Sequence, residues 1–419
     1  MQIGSLNRTK SDMPHQPFLQ PQFWDWVDAH LHDDPVRLRL SMPKNADIDV
    51  NAAILQIESR KRFGKKLSET LREFPRFYFP DLLSGEQSTS DLLAAYHASF
   101  FEPGDTVVDM TAGLGIDIRH IASKVDKITA IERKEKLCDA LRYNLGGLNI
   151  NNVTVVEGDS RELIKELHGD VVFVDPARRS ADGSRVFGMK DSEPDVIELL
   201  PMLRSNFKRA IIKASPMIDI SLTLNEMPGI TDVYVLGTKT ECKELDFIVD
   251  FNKEEINSVK IHAVTILTPD EISEFVFTRE QENETPANKT TSRPVAGDNI
   301  YVPYPSTMKA APVRLLSDMF GLNKFHNNTH LYFAPPSQEA KNFPGEALSI
   351  VDVIPWQSKN LKRFKTQYPN VSVTTRNFGM TAEELRKKLQ VKEGGSERLR
   401  LFGVGLGNNH TDRLLIVAS

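Results

Sequence analysis

The sequence predicts an α/β fold: a helical region, then a parallel sheet with crossover helices, then small α/β modules. Three observations predict it. Between about 87 and 270, short β-branched runs alternate with helical stretches, the pattern of repeated right-handed crossovers. Several of these runs end in an acid or lead into glycines, as strands do when their carboxyl ends face a ligand. Hydrophobic residues make up 40% and charged residues 26%, enough for a buried core in a chain of 419 residues.

In chain order, residues 1–86 read as helical and irregular. Ile54, Leu55, Ile57, Leu67 and Leu71 recur at helical spacing. The aromatic, proline-punctuated stretch Phe74–Pro80 follows. It reads as part of a helical cap on the next domain in preference to a basic-aromatic surface for nucleic acid. The central domain, 87–270, has strands at Thr106–Met110, Ile128–Glu132, Val153–Glu157, Val171–Asp175 and Ala210–Lys213. Its helices fall at Ile116–Val125, Lys134–Leu148, Ser160–Leu167 and Glu193–Arg204. The runs Asp232–Leu236 and Val259–Leu267 are placed to extend the sheet. Residues 279–298 are polar, contain two prolines and read as a linker. A small module at 295–338 has a strand near Ile300–Val302, a helix near Ser306–Phe320 and a strand near Leu331–Phe333. A second module at 345–419 alternates strands at Ser349–Ile354, Val371–Thr375, Arg398–Val404 and Arg413–Val417 with helices at Lys359–Thr366 and Thr381–Leu389.

Composition narrows the function classes. No run of about 18 apolar residues occurs, which argues against a membrane span. Met1–Met13 lacks the apolar core of a secretory signal. Cys138 and Cys242 have no paired spacing, which fits a reducing cytoplasm without disulfides or zinc. The net charge is −5, yet Lys359–Arg400 holds eleven Lys/Arg against four Asp/Glu, a local charge of +7. Such a segment suits either a polyanion or a solvated helix face, with neither favoured by the segment alone.

The chemistry concentrates at strand ends. The first strand ends at Asp109 and runs into Thr111-Ala112-Gly113-Leu114-Gly115. Two glycines let the backbone turn tightly and approach a ligand where a Cβ would clash. The next strand ends in Glu132, where a nucleoside site needs an acid for ribose hydroxyls. The third leads to Asp159, placed to accept a bond from an adenine amino group. The fourth ends in Asp175-Pro176-Ala177-Arg178-Arg179. A lone Gly-x-Gly is weak evidence, but four correctly ordered strand ends are much stronger. The third glycine of the dinucleotide fingerprint is absent, since Asp117-Ile118 follow Gly115-Ile116.

Asp109-Met110-Thr111-Ala112-Gly113-Leu114-Gly115-Ile116-Asp117 resembles motif I of the class I S-adenosylmethionine (SAM)-dependent methyltransferases. Asp175-Pro176-Ala177-Arg178 is similar to their motif IV. The whole chain resembles a bacterial group of these enzymes with a ferredoxin-like insert and a C-terminal THUMP-like domain. Tyr301–Ala310 and Arg376–Leu389 carry that likeness. The resemblance implies a Rossmann-like sheet, SAM as cofactor and RNA, tRNA or rRNA, as substrate, with a base nitrogen as acceptor and no metal. It places Gly113 and Gly115 against the SAM amino-acid moiety, with Asp109 and neighbouring Thr111 and Asp117 in the same loop. Asp109 would bind the ammonium, Glu132 the ribose and Asp159 the adenine. Gln87-Ser88-Thr89 is similar to the segment that touches the SAM carboxylate. Ser88 and Asp91 also have capping-box spacing. Asp175 and Pro176 would receive the acceptor. Ala177 stands where amino-methyltransferases have a second proline. Arg178 stands in place of their aromatic, as a cation to stack on a base or grip a phosphate.

Other residues rank lower. Cys242 is the one cysteine placed for a C5-methyltransferase nucleophile, with Lys243 beside it, but packing is the better reading. His326 and His330 have helical metal spacing, but Asn327-Asn328-Thr329 between them suggests a turn. His30 and His32 are isolated. Lys213-Ala214-Ser215-Pro216 lies at a strand exit near the expected substrate pocket. Competing readings are a protein or small-molecule methyltransferase, an NAD(P) oxidoreductase and a catalytically silent RNA-binding protein.

Overall fold

The computed structural model describes residues 16–41, 47–178, 188–253, 256–287, 292–394, 399–406 and 412–419. The chain forms two compact units, one built mainly from residues up to Ile212 and one from Lys213 onward.

The first unit begins with six helices: α1 (Pro21–Ala29), α2 (Pro35–Leu40), α3 (Val50–Phe63), α4 (Ser68–Glu73), α5 (Leu82–Gln87) and α6 (Asp91–His97). Asp34, Asp49, Asp81 and Ser90 cap α2, α3, α5 and α6 through side-chain oxygens that accept orphan backbone N–H groups. Then come β1 (Thr106–Asp109), α7 (Ile116–Ile121), β2 (Lys127–Glu132), α8 (Glu135–Gly147), β3 (Val153–Glu157), α9 (Ser160–Leu163), β4 (Gly169–Val174), the short strands β5 (Ala177–Arg178) and β6 (Ser192–Glu193), α10 (Val196–Asn206) and β7 (Phe207–Ala214). β3, β2, β1, β4 and β7 lie side by side in that order, all parallel. The chain winds outward from β1 to β3, then returns to the other side of β1 at β4. The crevice between the ends of β1 and β4 is therefore the topological switch point, where such sheets bind ligands.

The N-terminal helices are a cap on this sheet domain. Phe23, Trp24, Val27, Ala53 and Ile57 pack with Tyr78 and with Ala140 of α8. Phe63, Leu67, Phe77 and Phe79 pack with Leu114, Ile116 and Leu137. Phe77, Tyr78 and Phe79 are buried, so the aromatic stretch is core and offers no stacking platform. Each such side chain contributes about 1.5–3 kcal/mol by leaving water.

The second unit contains α11 (Ile220–Glu226), β8 (Ile230–Gly237), β9 (Cys242–Asp250), β10 (Lys260–Thr268), β11 (Glu271–Thr278) and α12 (Arg279–Glu284). β8 pairs antiparallel with β9 and parallel with β10, which pairs antiparallel with β11. The expected linker at 279–298 opens with α12 instead, because Thr278 and Gln281 form a reciprocal capping box. β12 (Asn299–Pro303), α13 (Pro305–Ala310), α14 (Val313–Met319), β13 (Asn323–His326) and β14 (Thr329–Ala334) follow. A single helix over Ser306–Phe320 was the expectation. It is split at Ala311, which takes a left-handed φ of 62°, and Pro312, which lacks an N–H. Last come β15 (Gly345–Pro355), α15 (Ser358–Gln367), β16 (Ser372–Arg376), α16 (Ala382–Leu389), β17 (Arg400–Gly405) and β18 (Arg413–Ala418). These segments share one seven-stranded sheet, ordered β13-β14-β12-β15-β18-β17-β16. Ile300, Phe325, Leu331 and Phe333 meet Phe402, Val404, Leu414 and Ile416 in a common core. α15 and α16 cover Leu401, Leu415 and Val417 with Phe364, Leu385 and Leu389.

The sequence Tyr301–Ala310 has an internal reason. α13 lies on β8 and β10. The buried Ser306 and Thr265 hydroxyls hydrogen-bond at 2.6 Å, Thr307 Oγ1 donates to the Pro344 carbonyl at 3.0 Å, and Lys309 Nζ donates to the Ile218 carbonyl at 2.8 Å.

Candidate active site

The loop after β1 is held from three sides. Asp109 is buried, and its Oδ1 accepts the Thr111 amide at 2.8 Å. The Met110 amide reaches the Phe173 carbonyl of β4, and the Ala112 amide reaches the Ile131 carbonyl of β2, both at 3.0 Å. Glu132 Oε2 accepts the Gly113 amide at 3.1 Å, while Glu132 Oε1 accepts the Lys134 amide at 2.8 Å. A carboxylate at the end of β2 thus braces the glycine loop and stays at the rim of the crevice.

The two glycines differ. Gly113 has φ +52°, and a Cβ built there would meet only the Thr111 carbonyl at 3.7 Å, so the space beside it is open. Gly115 has φ +81°, and a Cβ there would lie 2.2 Å from Leu141 Cδ1. Its lack of a side chain lets α7 start against α8.

Asp117, in the first turn of α7, does not stand alone. Thr89 Oγ1 donates to Asp117 Oδ2 at 2.5 Å, and the fully buried His97 places Nδ1 2.7 Å from Asp117 Oδ1. The structure thus joins two expected positions, Thr89 and Asp117, through a direct bond. It adds His97, which sequence reasoning missed: a histidine at the end of an amphipathic helix carries no local signal. Gln87 is exposed at the last turn of α5. The capping-box reading of Ser88 and Asp91 does not hold. Ser90 is the N-cap of α6, and the Asp91 carboxylate instead accepts the Glu69 and Thr70 amides at 2.8 and 2.9 Å.

Asp159 caps α9 and is clasped by Arg161, with Nη2–Oδ2 at 2.6 Å and Nε–Oδ1 at 3.0 Å. That bond holds the Asp159 carboxyl at about 2, below the usual range, so it is an anion at any physiological pH. Arg161 Nη1 also reaches Glu193 Oε1 at 3.1 Å, and Glu193 pairs with Ala177 in the β5–β6 ribbon.

At the end of β4, the Asp175 amide donates to Thr111 Oγ1 at 2.7 Å. Asp175 and Pro176 are half-buried at the crevice. The Arg178 backbone pairs with Ser192. The Arg178 side chain and all of Arg179 lie outside the described part of the structure. The arrangement brings Asp109, Thr111, Gly113, Glu132 and Asp175 to neighbouring strand ends, with open space beside Gly113 and carboxylates at the ends of β2 and β4.

Over 95% of this chain and 97% of its own, the crystal structure of a candidate methyltransferase from Porphyromonas gingivalis W83 matches with a TM-score of 0.83 and 30% identity. The chain belongs to the class I methyltransferases. Its relatives include the ribosomal RNA small subunit methyltransferase J of Agrobacterium fabrum, 31% identical over 152 residues, which are 32% of this chain and 71% of that protein. The protein of the same name from Rhodopseudomonas palustris (strain HaA2) is 28% identical over 155 residues, 31% of this chain and 71% of its own. A ferredoxin-like domain model matches residues 300–344 and a THUMP domain-like model matches 345–419. The methyltransferase therefore combines a class I sheet with these two C-terminal modules.

The remaining candidates resolve without chemistry. Burial pushes the Cys242 thiol up to about 11, and its Sγ points at the Leu236 carbonyl at 3.6 Å, so at neutral pH it is a packed thiol. His326 and His330 flank a β13–β14 hairpin turn rather than sharing a helix face. Among the described residues, no helix is long and apolar enough to cross a membrane.

Proposed function

We propose that this methyltransferase moves a methyl group from SAM to a base nitrogen of RNA in the cytoplasm. The observation that carries the cofactor is Gly113: a left-handed glycine beside open space, with the Glu132 carboxylate bonded to its amide. A cradle that a Cβ would fill fits the amino-acid and ribose portion of SAM. Glu132 holds ribose hydroxyls, Asp159 faces the adenine edge, and Asp109, Thr111, Gly113 and Gly115 form the loop under the amino-acid moiety. Gln87 lies at the exposed edge toward the carboxylate. Thr89 and Asp117 hold that segment to α7 by bonding to each other. When bound, SAM supplies an already activated methyl on sulfonium.

The chain's own task is alignment and charge placement. Asp175 accepts the acceptor N–H, turning the nitrogen lone pair toward the methyl position. Pro176 fixes the turn after it. Arg178 is the group assigned to the base or its phosphate. The nitrogen gains a methyl and gives up a proton, and Asp175 is the residue assigned to accept it.

RNA as substrate is supported by the activity in the relatives' names and by charge. α15 and α16 expose Lys359, Lys362, Arg363, Lys365, Lys387 and Lys388 on a protein of net charge −5. The test has two parts. Calorimetry with SAM and with NAD should show binding of SAM alone. Incubation with SAM and protein-free rRNA or tRNA from a strain lacking the gene, followed by nucleoside mass spectrometry, should show one new methylated base. SAM binding without any RNA methylation would reject RNA as the substrate.

A further inference from the structure

In the sheet of the first unit, β3 and β4 stand on either side of the β2–β1 pair, so the segments that follow them flank the glycine loop. Asp159 opens the segment after β3 and caps α9, with Arg161 in the first helical turn. Cations favour the other end of a helix, so helix formation does not account for an arginine here. The segment after β4 carries Asp175, then Ala177 and Arg178, whose backbones pair with Glu193 and Ser192 in the β5–β6 ribbon. The Ser192 side chain is buried, with Oγ 2.6 Å from the Met189 carbonyl and 2.9 Å from the Pro194 carbonyl, which pins this ribbon.

Arg161 touches both segments. Its backbone amide and its Nε each donate to Asp159 Oδ1 at 3.0 Å, and Nη2 donates to Oδ2 at 2.6 Å. Its other terminal nitrogen, Nη1, meets Glu193 Oε1 at 3.1 Å. One planar fork therefore holds a carboxylate on each side, a geometry that the point charge of a lysine does not reproduce. Asp159 Oδ2 takes Nη2 and only a long 3.3 Å contact from Nε, so it keeps acceptor capacity for a further donor. The side chains of Asp159, Arg161 and Glu193 are 32%, 44% and 29% exposed. Ion pairs this open to water add little to fold stability. Their effect is on geometry: Asp159 is tied to Arg161, Arg161 to Glu193, and Glu193 through its backbone to Ala177, two residues beyond Asp175.

We propose that Arg161 is a positioning residue that couples the adenine end of the cofactor site to the acceptor turn. The inference rests on the assignment of Asp159 to adenine and of Asp175 to the acceptor. A 6-amino group donating to Asp159 Oδ2 orders the carboxylate, and the clasp passes that order to Glu193 and to the ribbon that carries Ala177 and Arg178. Cofactor binding thus prepares the acceptor turn. The coupling runs both ways, so loosening the ribbon weakens cofactor binding.

The experiment uses the full chain. Calorimetry with S-adenosylhomocysteine reads cofactor affinity, and single-turnover methylation of protein-free rRNA from a strain lacking the gene, at saturating SAM, reads the rate. Arg161→Met should weaken S-adenosylhomocysteine binding about fivefold or more, the lower end of typical coupling between sites. Glu193→Ala, which removes no group assigned to the cofactor, should weaken it in the same direction and slow methyl transfer. In the double variant the two losses should not add, because both break one connection. Arg161→Lys keeps the charge but not the fork, so it should recover only part of the affinity. Melting temperatures should stay close to wild type. Losses that add across the cycle, or a Glu193→Ala protein with wild-type affinity and rate, overturn the proposal. So does a fall in melting temperature with the folded fraction behaving as wild type. If wild type binds S-adenosylhomocysteine but methylates no rRNA, the affinity cycle alone decides the coupling. If wild type binds neither SAM nor S-adenosylhomocysteine, the cofactor reading fails and the coupling falls with it.

Discussion

Thr111 Oγ1 accepts the amide of Asp175 at 2.7 Å, while Asp109 Oδ1 accepts the amide of Thr111. One side chain therefore ties the glycine loop after β1 to the acid-proline turn after β4. This relay joins the two loops proposed to meet donor and acceptor, alongside the backbone bond from the Met110 amide to the Phe173 carbonyl. Thr111→Val keeps the shape but leaves the Asp175 amide without that acceptor, a loss of about 1–3 kcal/mol if buried. The expected outcome is SAM affinity within a few-fold of wild type and single-turnover methyl transfer slowed about tenfold or more. An equal loss in both would mean that Thr111 serves the cofactor loop alone.

Gly113 and Gly115 should fail differently. Gly115→Ala forces a Cβ toward Leu141 in a left-handed conformation, which costs on the order of 1–3 kcal/mol. Its melting temperature should fall. Gly113→Val meets no protein wall, but its left-handed φ of 52° strains a β-branched residue, so it too should lower the melting temperature. What sets it apart is the ligand: calorimetry on the folded protein should show SAM binding abolished by Gly113→Val and retained by Gly115→Ala. A Gly113→Val protein that binds SAM normally would remove the loop from the cofactor site.

The central strands were legible because each is a short apolar run rich in Val, Ile or Thr, and four of the five end in an acid or lead into glycines. β9 and β11 were not: Cys242–Asp250 and Glu271–Thr278 interleave charges with apolar residues, and their partners are set by tertiary pairing. The glycine loop and its four strand ends could be read from spacing. Arg161 on Asp159, His97 on Asp117 and the Thr111 relay could not, since each joins side chains whose rotamers depend on the packed fold. Gly115 looked like a ligand-facing glycine, and only Leu141 shows its packing role.

Asp117 links α6 and α7 through Thr89 and His97, and its side chain is 13% exposed. Asp117→Ala removes the carboxylate that meets both the buried His97 Nδ1 and the Thr89 hydroxyl. A destabilisation of about 2 kcal/mol or more should follow, read by denaturant unfolding. Asp117→Asn, which keeps one acceptor, should recover part of it. If Asp117→Ala lowers SAM affinity with no change in stability, the residue contacts the ligand directly.

The second unit carries a pH-dependent element. His262 lies between Asp232, at 3.0 Å from Nε2, and Glu274, at 2.8 Å from Nδ1, and stacks on Tyr234 with centroids 4.1 Å apart. Burial disfavours the charged ring, but the bonds to Asp232 and Glu274 outweigh it and hold its pKa above the ordinary 6.5. A raised folded pKa gives stability that is full below the unfolded value and lost as pH rises through the folded value. Asp232 is held below its ordinary value despite burial, chiefly by His262, so its share is lost as pH falls. The wild-type melting temperature should therefore drop as pH rises above the ordinary 6.5 by more than that of His262→Gln. Parallel profiles would show that the ring is neutral throughout.

Asp175 decides whether the crevice performs the proposed chemistry. It follows Val171–Val174, which is fully buried, yet its own residue is half-buried at the strand end. Pro176 disfavours a helical conformation at Asp175, and the proposed role requires its carboxylate to face the crevice. A bond that forms with the acceptor N–H mainly as the transition state is reached lowers the barrier without strengthening cofactor binding. Asp175→Ala should leave SAM affinity within a few-fold and cut methyl transfer about 10²-fold or more, the scale of losing a charge-stabilising group. Asp175→Asn should be milder if the residue only accepts a hydrogen bond, and as severe as alanine if the carboxylate takes the proton. If Asp175 merely supports the turn, alanine would lower the melting temperature while the specific activity of the folded fraction stayed at wild-type level. Calorimetry, thermal melting and single-turnover rates on the three proteins separate these outcomes, and full activity in Asp175→Ala would end the assignment.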